Sequence, residues 1–125
     1  MGKQAAPRKV GDKEALAVGT TIRGSAQKLN LVAGLIRGRK VEEALNILKF
    51  SPKAMAEDVH KVLASAVANA ENNHNLDVDA LVVAEASVGQ SISMKRFATR
   101  ARGRSSRIVK PFSRLRVVVR EQEEA

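Results

Sequence analysis

Residues 86–120 read ASVGQSISMKRFATRARGRSSRIVKPFSRLRVVVR. The stretch carries ten basic residues and no carboxylate. Residues 80–88 (ALVVAEASV) and 115–119 (LRVVV) are rich in Val, a composition that suits strands. Between them the apolar residues are too thinly spread to build a core, and Gly103 is the only turn-type glycine after Gly89. This pattern predicts a long antiparallel hairpin over about 82–119, turning near Thr99–Ser105. Each arm would hold about 15 residues and extend ~50 Å at roughly 3.3 Å per residue. A globule of this length has a radius of gyration near ~14 Å, so such a hairpin must project from the body. A lone two-stranded ribbon is marginal in water. Its outer part is therefore expected to gain order from a partner, and the charge makes that partner a polyanion.

Upstream, the pattern changes from strand to helix. Residues 15–23 (ALAVGTTIR) alternate weakly and predict a short strand. Ser25 stands as a helix N-cap before Leu29, Val32, Ala33 and Ile36, spaced i, i+3, i+4, i+7, and Gly38 stops that helix. Val41, Ala44, Leu45 and Leu48 predict a second, short helix. Ser51-Pro52 supplies a start signal for the longest helix, expected over roughly 52–73. Its stripe is Met55, Val59, Val62, Leu63, Ala66, Val67 and Ala70, and it stops among Asn72, Asn73, His74 and Asn75. The fold class is α+β: about three helices packed on a small antiparallel sheet, with a protruding basic β-hairpin. Residues 1–14 read as a flexible basic arm, 15–120 as a single domain and 121–125 as an acidic tail.

The chain has 125 residues, with 22 Lys+Arg against 13 Asp+Glu, a net charge of +9. The signs are segregated. Residues 1–40 hold nine bases and two acids, 41–85 three bases and eight acids, and 86–120 ten bases alone. A surface built only for solubility intersperses its charges. A carboxylate-free stretch in which eight of ten cations are Arg is instead suited to phosphates, because guanidinium binds them bidentately and stacks on bases. Lys95, Arg96, Arg100, Arg102, Arg104, Arg107 and Lys110 are the leading candidates for RNA contact, against the plainer reading of a solvated basic loop. Phe97 could stack on a base or pack across the ribbon. Gln27, Lys28, Arg37, Arg39 and Lys40 cluster at the first helix and its exit. Ser25–Lys28 can receive phosphate at a helix N-terminus, or be an ordinary cap beside a solvated Lys.

Other chemistries find little support. The absence of cysteine removes disulfides and thiolate chemistry, and suits a reducing interior. His60 and His74 are far apart, with no clustered carboxylates, so no metal or cofactor is expected. Glu42-Glu43 and Glu57-Asp58 look like exposed carboxylates near helix starts. No phosphate-binding loop, dinucleotide fingerprint or nucleophile elbow is present, so an enzyme is not expected. No apolar run approaches the ~18–20 residues that span a bilayer. The rival class is an architectural DNA-binding protein with a basic β-ribbon, but these often wedge an apolar residue, usually Pro, from the tip. Here the tip offers Arg-Gly-Arg. A membrane-surface protein would place its basic charge on an amphipathic helix, and this charge sits mostly outside the helices.

Several stretches together are characteristic: Ser25-Ala26-Gln27-Lys28, Leu31-Val32-Ala33, Leu35-Ile36-Arg37-Gly38, Ala66-Val67-Ala68-Asn69-Ala70-Glu71-Asn72, Ser93-Met94-Lys95-Arg96, Arg100-Ala101-Arg102-Gly103-Arg104, and the run from Arg107-Ile108 to Val117-Val118-Val119. In this order, over about residues 20–120, the sequence resembles the L twenty-two family of the bacterial large ribosomal subunit. The resemblance implies an α+β body near the mouth of the peptide exit tunnel, in the cytoplasmic ribosome. It also implies a hairpin that lines the tunnel, touches several rRNA domains and supports early subunit assembly. Partners would be large-subunit rRNA, neighbouring ribosomal proteins and the nascent peptide, with no DNA and no membrane. By position, Met94, Lys95 and Arg96 would lie on the inward arm near the constriction, where family changes affect macrolides. Arg102, Gly103 and Arg104 would form the tip. The sequence departs from the family where Pro often stands at Thr99, an acidic-Gly-Pro run at Gln90-Ser91-Ile92, and His at Arg114.

Overall fold

The computed structural model describes residues 13–99 and 101–122. The expected basic arm lies outside them except for Lys13 and Glu14, as does the acidic tail beyond Gln122. Among the described residues the order is β1 (Glu14–Arg23), α1 (Ala26–Ile36), α2 (Val41–Lys49), α3 (Met55–His74), β2 (Leu81–Thr99) and β3 (Ser105–Glu121), with a short 3₁₀ turn Val78–Ala80 before β2 and another, Ala101–Gly103, at the hairpin tip. The strands form one antiparallel sheet in the order β1-β3-β2. The α+β class with a long hairpin is thus the fold observed.

The Val-rich ends of the hairpin become the centre of the sheet because β3 pairs on both sides. Its buried residues meet buried or half-buried neighbours in rungs: Ala15–Val119–Val83, Ala17–Val117–Ala86 and Gly19–Leu115–Val88. Leu115, Val117 and Val119 are completely buried. Against this face pack Leu29, Val32, Ala33 and Ile36 of α1, Val41, Ala44 and Leu48 of α2, and Ala56, Val59, Leu63, Ala66 and Ala70 of α3. The core is aliphatic throughout, since the chain has only three Phe and no Trp or Tyr. The outer edge of β2 is closed by the α1–α2 connection: Gly38 N–H donates to Val83 O at 2.9 Å and Val83 N–H to Arg39 O at 2.9 Å. That covers the strand edge at Val83.

The caps follow the local chemistry with one correction. Ser25 Oγ accepts from Lys28 N–H at 3.3 Å, and α3 ends at Asn75 in the left-handed conformation. However, α3 begins at Met55 rather than at Pro52. Ser51 Oγ accepts from Lys53 N–H, two residues on, at 3.4 Å, while Ala56 N–H donates to Lys53 O. The hydroxyl closes a local turn instead of a first helical turn. Glu57 and Asp58 therefore occupy the first turn of α3, where the helix dipole favours them.

At the root of the hairpin one knot ties β1, α1 and β3 together. Gly24, with φ +135, turns the chain from β1 into α1. Its N–H donates to Pro111 O at 3.1 Å, and its carbonyl accepts from the fully buried Ser113 Oγ at 2.8 Å. A Cβ at Gly24 would stand 1.6 Å from Met55 Cε. Ser113→Ala is expected to leave that carbonyl without its partner and to cost about 1–3 kcal/mol, measured by chemical denaturation.

Candidate nucleic-acid interface

β1 ends at its Arg23↔Phe112 pair, and from there outward the hairpin is two-stranded. A register shift between Gln90 and Ser93 marks the change. From Ser93↔Pro111 to Thr99↔Ser105 the pairing is regular. The free ribbon therefore reaches about 25 Å past the sheet at ~3.3 Å per residue. β2 (19 residues) and β3 (17 residues) reach the arm length expected from sequence, but their inner halves lie in the three-stranded sheet, so only about half of each arm stands free.

The tip is a tight left-handed turn, with Arg102 at φ 65 and Gly103 at φ 71. Arg102 adopts there a conformation that L side chains disfavour by roughly 1–2 kcal/mol. The turn holds Arg102 and Arg104, both exposed, close together at the far end of the molecule. Arg100 lies outside the described residues.

Along the ribbon the register sets a pattern. Opposed residues share a face of the pleat, and four consecutive pairs are Met94↔Lys110, Lys95↔Val109, Arg96↔Ile108 and Phe97↔Arg107. Each sets one cation against one large apolar side chain. No two cations stand directly opposite, which limits repulsion within the ribbon. Successive pairs alternate faces, so each face presents two cations and two apolar groups. Among the described residues, none of the ribbon cations has a carboxylate within ion-pair distance. Among the described residues, Arg96 donates to Lys95 O at 3.4 Å and to Met94 Sδ at 3.8 Å.

The candidates on α1 divide into two groups. Ser25 and Lys28 line a cleft at the hairpin root with Arg23, Met55, Asp58 and Pro111. Asp58 weakens the positive field there relative to the ribbon. Gln27 is exposed on the same first turn. Arg37, Arg39 and Lys40 lie at the other end of α1, about 16 Å away at ~1.5 Å per residue. Arg37 Nε donates to Ala86 O at 2.7 Å, and another of its nitrogens reaches Asn30 Oδ1. Arg39 Nε donates to Leu35 O at 2.9 Å and its Nη1 pairs with Glu43 Oε1 at 2.7 Å. Lys40 caps α2 and bridges to Val82. The two arginines thus tie α1 to β2 and α2 besides facing solvent.

Charge is also polar along the long axis. The end opposite the tip carries Glu14, Asp77, Asp79 and Glu121 against Lys13 and Arg120, with Asp77 N–H donating to Glu121 Oε2 at 3.2 Å. Arg116 of the inner sheet is paired with Glu85 at 3.5 Å. Among the described residues no group of His, Asp and Glu is placed to hold a metal ion, and no helix is long and apolar enough to cross a membrane.

A folded body with a largely acidic end carries a cationic ribbon without carboxylates, the architecture of a small basic protein with a projecting arm. The chain belongs to the family Ribosomal protein L22p/L17e, whose model matches residues 17–120. It is 80% identical to large ribosomal subunit protein uL22 of Zymomonas mobilis over 125 residues, covering 100% of this chain and 99% of the relative. It is 79% identical to uL22 of Novosphingobium aromaticivorans, with 100% of both chains covered. Against uL22 of Mesorhizobium japonicum the identity is 67%, over 99% of this chain and 96% of the relative. The family is one of structural ribosomal proteins, not of enzymes.

Proposed function

We propose that the chain is a structural constituent of the large ribosomal subunit in the cytoplasm, which binds large-subunit rRNA and supports early subunit assembly. The observation that carries this reading is the ribbon: a cationic, carboxylate-free arm beyond the core, on a chain whose relatives are named large-subunit proteins. Its contacts are Met94, Lys95, Arg96, Arg100, Arg102, Gly103, Arg104, Arg107 and Lys110 on the hairpin. The α1 ends add Ser25, Gln27, Lys28, Arg37, Arg39 and Lys40. The mechanism is positioning. Cations neutralise phosphate charge so that RNA segments from several domains can approach one another, and the bound counterions are released. The acidic end opposite the tip disfavours insertion the wrong way round.

The hairpin lines the peptide exit tunnel, with Met94-Lys95-Arg96 on its inward arm, beside the nascent peptide and neighbouring ribosomal proteins. Cross-linking in living cells, followed by sequencing of the attached RNA peptide by peptide, tests this. Cross-links from residues 94–107 to large-subunit rRNA at the exit tunnel are expected. Cross-links spread over DNA or unrelated transcripts would overturn it.

A further inference from the structure

The ribbon's apolar side chains have no role in a purely electrostatic grip. Met94, Phe97, Ile108 and Val109 are 38%, 78%, 37% and 50% exposed. They cannot join the core, because the ribbon has left the sheet before they begin. Nor do they form one continuous apolar stripe, which would suit a protein partner. The register disperses them, two to each face, every one opposite a cation. A surface that alternates cation and apolar group at the spacing of single side chains fits a ligand with the same alternation.

We infer that the ribbon recognises RNA whose bases are unstacked, cations taking the phosphates while Met94, Phe97, Ile108 and Val109 pack on bases and riboses from both faces. This rests on the RNA-binding reading above and narrows it. A regular duplex keeps its base faces inside the stack, so these four side chains would meet only backbone there. Splayed bases in loops and bulges offer their flat faces, and stacking on them tolerates any sequence. Phe97, the most exposed of the four, lies opposite Arg107, whose guanidinium can flank the same base.

The test compares binding of the full chain to two RNAs of equal length and charge, one a perfect duplex and one interrupted by unpaired loops, across a salt series. The chain is expected to prefer the looped RNA by about tenfold or more, and to keep that preference at high salt, because stacking is not screened. A variant with Phe97, Ile108 and Val109 replaced by Ser is expected to keep the salt slope, which the cations set, and to lose the preference. These positions lie outside the core, and a thermal melt of the variant verifies the fold. Equal affinity of the unaltered chain for both RNAs would overturn the inference, and so would a preference that survives in the variant. Failure of the underlying reading looks different: no salt-dependent binding to either RNA.

Discussion

Replacing Lys95, Arg96, Arg107 and Lys110 together by Ala is expected to weaken binding to large-subunit rRNA by roughly a hundredfold or more at moderate salt, and to flatten the salt dependence by about three to four units. The four residues alternate over both faces of the free ribbon, all are exposed, and among the described residues no carboxylate neutralises them. Each is therefore available to one phosphate, and each phosphate neutralised releases most of one counterion. The fold should be indifferent, because none of the four touches the core. Affinity titrations over a salt series, with a denaturation curve as control, measure both effects. A variant with normal stability and an unchanged salt slope would show that these cations are merely solvated.

Leu63→Ala should act in the opposite way. Leu63 is completely buried at the middle of α3, in the layer that covers the sheet. Its truncation removes apolar burial and leaves a cavity, at a cost of about 2–5 kcal/mol. Domains of this size have only ~5–15 kcal/mol to lose. The core has no bulky aromatic side chains to collapse into the space, so the upper part of the range is expected. The melting temperature should fall steeply, while the salt slope measured on the remaining folded protein stays that of the unaltered chain. A small loss of stability would mean that α3 repacks against β1 and β3 without Leu63.

The contrast between these two variants reflects what the sequence made legible. Residue types alone separated body from arm: apolar i, i+3, i+4 stripes gave the three helices, and the Val-rich ends flanking the basic run gave the hairpin. Gly103 located the turn, and Thr99 does pair with Ser105. Two things needed coordinates. One is register. The opposition of cation and apolar side chain across the ribbon depends on which residue faces which, and the shift between Gln90 and Ser93 cannot be counted from composition. The other is the use of polar side chains within the body. Ser113 looks like any serine in a basic strand, yet it is buried and holds Gly24, 89 positions away. Arg37, read as a phosphate contact from its charge, also spends a hydrogen bond on Ala86 O, 49 positions away. The start of α3 failed for a local reason: Ser51-Pro52 is a sound helix signal that a short turn used first.

We propose that the ribbon, not the acid end of the body, faces the RNA. The chain has no cysteine, so one introduced thiol can carry a tethered hydroxyl-radical source at a chosen point. Thr99→Cys places it at the tip, and Asp79→Cys at the opposite end of the sheet, about 60 Å away along β2 at ~3.3 Å per residue. Bound to large-subunit rRNA, the protein labelled at residue 99 should cut the RNA strongly at a few discrete sites, and the protein labelled at residue 79 should cut weakly or not at all. Equal cutting from both positions, or stronger cutting from residue 79, would mean that the RNA does not lie along the ribbon.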